Sequence, residues 1–160
     1  MDVLIEEAAK KAAVAWVRVD GGPAVLVWTT WINGALYVVT GDGEQAVPGL
    51  AAAGTSEVSL RGDHGGRIVT LVATVSVVDP AGEDWATVAP QLAAKRLNGA
   101  GTTDEVVARW AASCVLLRLA PDGTTVALPS ESLAAPPRPT PAVRLPRKPF
   151  RLHRVRRHQP

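Results

Sequence analysis

Residues 24–40 read AVLVWTTWINGALYVVT, two runs of β-branched and aromatic residues hinged on Asn33-Gly34. Both central positions of a two-residue hairpin turn need positive φ, which Asn and Gly adopt most readily, so this dipeptide between such runs predicts a β-hairpin. Working outward, residues 57–61 (EVSLR) and 67–78 (RIVTLVATVSVV) flank a Gly-rich tip, Gly62-Asp63-His64-Gly65-Gly66, and form a second hairpin. Upstream, residues 16–19 (WVRV) alternate as a first strand, stopped at Asp20-Gly21-Gly22-Pro23. Downstream, residues 114–119 read as another strand, which Pro121-Asp122-Gly123 turns back into 124–128.

Between the strands the period changes. Leu4, Ile5, Ala8, Ala9, Ala12 and Ala13 recur at helical spacing with Glu6, Glu7, Lys10 and Lys11 on the other side, a first helix capped by Asp2 and running to about residue 15. Residues 85–97 make a second helix, capped by Glu83 or Asp84, with Pro90 as an internal irregularity and Asn98-Gly99 as its stop. Thr102 to Glu105 opens a third, over 105–112. Residues 41–55 (GDGEQAVPGLAAAGT) form a loop with one short helical turn. Strands outnumber helices and pair with neighbours in sequence, so the fold class is mainly β (α+β), a closed barrel with helical caps rather than a parallel sheet.

With 160 residues, 47% of them apolar, the chain can build one ordinary core plus an appendage. The uncharged run 68–78 falls short of the roughly 20 apolar residues a bilayer span needs. Asp2, Glu6 and Glu7 stand where a secretory signal would carry positive charge, so a cytoplasmic location is expected. The single Cys114 forms no internal disulfide and suits a reducing compartment. The net charge of +2 hides a division. Residues 136–160 carry eight Lys or Arg, seven prolines and no acid, whereas 1–135 carry nine basic and fifteen acidic residues, net −6. The reading is a barrel domain over 1–135 and an extended or disordered basic arm over 136–160, whose Arg144, Arg147, Lys148, Arg151, Arg154, Arg156 and Arg157 suit a polyanion.

The series of first helix, Trp-rich hairpin (VLVWTTWINGALYVVTG), Gly-tipped hairpin (VSLRGDHGGRIVTLVATVSVVDP), Trp-initiated helix (WATVAPQLAAKRLN) and RWAASCVLLRLAPDG resembles the flavin-binding split-barrel proteins related to pyridoxamine 5'-phosphate oxidase, in particular their small actinobacterial members. The likeness covers roughly residues 4–128. It implies a homodimer of six-stranded antiparallel split barrels with a cleft at the subunit interface holding FMN, a deazaflavin or sometimes haem, and an oxidoreductase acting on a small molecule. In cofactor-binding members, Ser/Thr and Lys/Arg that follow the strand matching 36–40 clamp the flavin phosphate. Here 41–60 holds no Lys or Arg, which leaves Thr40, Arg61 and Arg67 as the nearest phosphate ligands and Lys95 and Arg96 as more distant ones. Trp28, Thr30 and Tyr37 lie on the hairpin that lines the family's cleft. A cofactor-less module, docking through its basic arm onto nucleic acid, a ribonucleoprotein or an acidic protein partner, is the alternative.

Other chemistries find no pattern. The three histidines show no metal-ligand spacing, the Gly-rich pieces fit neither GxGxxG nor GxxxxGK[ST], and there is no nucleophile elbow. Any reactive group must then come from a cofactor. Cys114, among Ala112, Val115 and Leu116, reads as a small buried hydrophobe, and His64 as an exposed loop residue. Trp28 and Trp31, three apart on a presumed continuous strand, should face opposite sides.

Overall fold

A computed structural model of the chain describes residues 3–62, 67–96 and 101–126. In chain order these form α1 (Val3–Lys11), β1 (Val14–Arg18), β2 (Val25–Trp28), β3 (Thr30–Ile32), β4 (Ala35–Gly41), a 3-10 turn (Leu50–Ala52), β5 (Thr55–Arg61), β6 (Arg67–Val77), α2 (Glu83–Ala94), α3 (Thr103–Ser113) and β7 (Cys114–Thr125). Asn33 and Gly34 take φ of 47° and 82°, and Ile32 pairs with Ala35 across them, the tight hairpin that the dipeptide predicts. The basic arm lies outside the described residues, as does most of the Gly-rich tip with His64. Among the described residues no helix is long and apolar enough to cross a membrane.

The strands form one sheet in the order β2-β1-β5-β6-β7-β4-β3, with every neighbouring pair antiparallel. Its two edge strands, β2 and β3, are separated in the chain by Thr29 alone. A sheet whose opposite edges belong to one short run must curl until they approach, so it is a nearly closed barrel with little free edge. Six strands are expected from the resemblance; seven are present, because the 25–32 run breaks. The Thr29 N–H still donates to the Ala13 carbonyl (3.0 Å), in the register of the β1–β2 ladder, while the Trp28 N–H is taken by the Gln45 side chain (Oε1, 2.6 Å) rather than by another strand.

Two apolar clusters hold the fold. One fills the barrel with Val17, Val27, Leu36, Val38, Val58, Leu60, Leu71, Leu117 and Leu119, and Ile5, Ala8 and Ala9 of α1 pack into it. The other lies between the sheet and the α2–α3 pair, joining Ala35, Tyr37, Val39 and Leu116 to Trp85, Val88, Leu92, Val106 and Trp110. β4 is therefore buried on both faces, which explains its unbroken apolar stretch. The largest side chains in these clusters each remove an apolar surface worth about 1.5–3 kcal/mol from water.

Several boundaries move. α1 stops at Lys11 rather than near residue 15, because β1 claims Val14 and Ala15 for its pairing with β2. α2 ends at Ala94, where the Lys95 N–H tightens to the Leu92 carbonyl. The helix tolerates Pro90 because Ala86, whose carbonyl loses its partner there, is exposed. β7 runs on through Pro121-Asp122-Gly123, which is not a turn. The register against β6 shifts between Leu71 and Ala73, facing Thr125 and Pro121, so the extra residues are absorbed as an irregularity with Gly123 at φ 93°.

Candidate functional site

A cavity of about 430 Å³ opens where four pieces of chain converge. Lys10, Lys11, Ala12 and Ala13 come from the end of α1, Trp28 to Trp31 from the β2–β3 bend, Leu92, Ala94, Lys95 and Arg96 from the end of α2, and Trp110 from α3, with Val39 of β4 beside them. Its size suits a small cofactor. Trp28 and Trp31, both part-buried, give it apolar walls with the fully buried Trp110 behind them, and four of the nine cations in a net-acidic body line it. The bend at Thr29 corrects the reading of Trp28 and Trp31 as facing opposite sides: strand alternation is interrupted between them, and both line this cavity.

The loop after β4 braces the walls. Gly41 at φ 140° lets the chain pass β7, where a Cβ would lie 2.8 Å from both the Ser113 carbonyl oxygen and Cys114 Cα. Three residues on, the Glu44 side chain is 3% exposed and receives the Trp110 indole N–H (Nε1 to Oε1, 2.7 Å), Arg109 Nη2 (3.2 Å) and an ion pair from Arg96. The Arg96 guanidinium also lies over the Trp110 ring, 5.9 Å from its centroid. Burial, helped by the neighbouring charge of Arg109, lowers the Arg96 pKa, with Cys114 opposing. Next in the chain, Gln45 accepts the Trp28 N–H. Glu44 and Gln45 thus fix one cavity tryptophan each, and the carboxylate is consumed by its cations.

The sequence candidates separate. Trp28, Thr30, Lys95 and Arg96 line the cavity. Tyr37, Thr40, Arg61 and Arg67 do not: Tyr37 is 3% exposed within the α2–α3 cluster, and Thr40 pairs with Val115 on the sheet. Arg61 and Arg67 face each other across the β5–β6 ladder, Arg61 over the Trp16 ring at 5.3 Å and Arg67 3.4 Å from Thr70 Oγ1. Lys10, Lys11, Trp110 and the Glu44–Gln45 brace escape sequence reading, because each depends on contacts across the fold that no local pattern encodes. Cys114 is half-buried against the α2–α3 cluster with its Sγ 3.6 Å from the Asp42 carbonyl. Among the described residues no three His, Cys, Asp or Glu side chains gather as a metal site; His64, His153 and His158 lie outside them.

No family model matches the chain, and no curated protein matches it in sequence. Solved structures do. HutZ, the heme storage protein from Vibrio cholerae, superposes with a TM-score of 0.52 at 13% identity over 76% of this chain and 90% of that one. A Listeria innocua protein provisionally described as a pyridoxamine 5'-phosphate oxidase gives 0.49 at 14% identity over 74% and 90%, and the FAD and heme binding protein from Mycobacterium smegmatis 0.46 at 16% over 89% and 90%. At such identities a likeness speaks to fold and not to ligand. What the likeness shows is the fold: the chain has a split barrel of the kind seen in HutZ and in proteins resembling pyridoxamine 5'-phosphate oxidase.

Proposed function

We propose that the protein is a flavin-dependent split-barrel oxidoreductase, binding FMN or a deazaflavin in the cavity between α1, α2 and the β2–β3 bend and acting on a small molecule. The observation that carries this reading is the meeting of Trp28 and Trp31 with Lys10, Lys11 and Lys95 in one cavity. Indole faces suit a flat conjugated ring, and ammonium groups suit an anionic tail. The residues present fit that class of group. HutZ is named for heme storage, but the described lining offers no His, Met, Cys or Tyr as an axial ligand, which favours a flavin over haem. A bound flavin supplies the hydride or electron transfer. Trp28 and Trp31 would pack against the ring, and the lysines of the α1 and α2 ends would neutralise the tail.

A second copy of the chain is part of this reading. Val14, Trp16, Leu26 and Trp28 share the outer face of the β1–β2 ladder, with Val14 and Leu26 36% and 39% exposed, an apolar strip beside the cavity. The alternative, a cofactor-less module docking by its arm onto nucleic acid, a ribonucleoprotein or an acidic protein, draws support from the eight uncompensated cations of residues 136–160. The absorbance spectrum of the purified protein, followed through titration with FMN and with a deazaflavin, separates the two. The oxidoreductase reading expects a bound chromophore or saturable perturbation of an added one; no perturbation by either would discard it in favour of the module.

A further inference from the structure

We propose that Asn33-Gly34, the tip of the β3–β4 hairpin, is a site of spontaneous deamidation, and that the isoaspartate it yields loosens the strand carrying Trp31. Asn33 is exposed, and its side-chain amide makes no hydrogen bond among the described residues. The turn is closed between Ile32 and Ala35, so the Gly34 N–H, inside it, also has no partner there. An electrophilic carbon and a nucleophilic nitrogen one residue apart are thus both unengaged. Without a Cβ, Gly34 leaves its nitrogen open to close approach. In the reaction the Gly34 nitrogen attacks Asn33 Cγ. An N–Cγ bond forms, the Cγ–Nδ2 bond breaks, and Nδ2 leaves as ammonia with the proton given up by the backbone nitrogen, closing a succinimide ring. Water then opens the ring, with no oxidant or reductant involved. Its attack at Cγ leaves an ordinary aspartate; its attack at the main-chain carbonyl carbon leaves isoaspartate, in which the chain runs through the side chain.

Both residues are committed to the turn, with φ of 47° and 82°, so ring closure proceeds from an opened hairpin. The position of β3 supplies the opening. It is three residues long and lies at the edge of the sheet, with β4 as its strand neighbour, and short edge ladders belong to the low-stability end of a fold. The two products act differently on the hairpin. Asp-Gly forms the same turn type as Asn-Gly, so aspartate keeps Ile32 opposite Ala35. Isoaspartate adds a methylene to the main chain of a two-residue loop, and the pairs Thr30–Tyr37, Trp31–Leu36 and Ile32–Ala35 lose the register that the loop length sets. β4 cannot yield, because Leu36 is buried in the barrel and Tyr37 against the helices. β3 therefore shifts, and with it Trp31, a wall of the cavity.

The test incubates the folded full-length chain at mildly alkaline pH beside the same chain unfolded in guanidinium chloride. Tryptic mapping places Asn33 in peptide 19–61 and the other Asn-Gly pair, Asn98-Gly99, which lies outside the described residues, in peptide 97–109. Peptide 19–61 of the folded chain should gain the mass of OH in place of NH2, with fragment ions locating the change at Asn33 and isoaspartyl methyltransferase labelling it. Asn33→Gly should abolish the mass gain while keeping the hairpin, since Gly-Gly suits the turn. The isoaspartate-bearing fraction should unfold at lower urea than fresh Asn33→Asp protein, and aged Asn33→Gly protein, which keeps Asn98, corrects for the second pair. Asn33 intact in the folded chain when the unfolded chain has reacted would overturn the site. An isoaspartate fraction as stable as Asn33→Asp would overturn the loosening of β3.

Discussion

At the scale of single residues, Glu44 organises the site. In the fold it is buried and shared by Arg96, Arg109 and the Trp110 indole. Removing a buried charge that two cations share leaves them unpaired. Glu44→Ala should therefore destabilise the protein by about 3 kcal/mol, the lower end of the range for a broken buried pair, since Arg109 is 43% exposed and solvates once released. Urea unfolding monitored by circular dichroism measures this, and a change below roughly 1 kcal/mol would show that the brace does not matter to stability. Gly41→Ala acts on the same loop from its hinge. The new Cβ meets backbone at 2.8 Å in a conformation that L residues rarely adopt, so a loss on the order of 2 kcal/mol is expected in the same assay.

Among the elements, α3 presents Trp110 and owes its start to a capping box. The Thr102 hydroxyl accepts the Glu105 N–H (3.3 Å), while the Glu105 carboxylate accepts the Thr102 N–H (2.7 Å) and hydroxyl (3.0 Å). Thr102→Ala should cost about 1 kcal/mol of stability by the same denaturation. The bonds from the Thr102 backbone and side chain lower the Glu105 pKa. A carboxylate whose folded pKa is depressed stabilises fully above its unfolded pKa and loses that contribution as pH falls through the folded one. The cost of Thr102→Ala should thus shrink when the assay is moved from neutral pH to below the ordinary Glu range; an unchanged cost would show that the box does not titrate. Thr102-x-x-Glu105 was readable because a cap is local, and so were Asn33-Gly34 and the apolar runs of β4 and β6, where turn chemistry and burial act within a few residues. The break at Thr29 was not readable, since the Trp28 N–H beside it is taken by the Gln45 side chain, a partner that only the folded chain supplies. For the same reason two of the expected phosphate ligands, Arg61 and Arg67, sit on the β5–β6 ladder away from the cavity, while Lys10 and Lys11 reach it.

For the whole molecule, the apolar strip of Val14, Trp16, Leu26 and Trp28 predicts a homodimer. Light scattering at micromolar concentration should give about twice the 16.7 kDa chain mass, and a monomer there would refute it. The arm predicts charge-driven association. Full-length protein should bind RNA or DNA with an affinity falling by a slope on the order of −0.7 to −0.9 per phosphate neutralised as salt rises, and truncation after Ala135 should abolish binding. No difference between full-length and truncated protein at low salt would remove the arm as a polyanion site. The cavity walled by Trp28 and Trp31 is the proposed seat of a flavin-type ring. The most direct measurement is a ¹⁵N–¹H spectrum of the five indole N–H groups during titration with FMN, with signals assigned by single Trp→Phe variants. Saturable shifts of Trp28 and Trp31 are expected, with Trp16 and Trp85 little moved; five unmoved signals, or shifts confined to Trp16 and Trp85, would contradict flavin binding in this cavity.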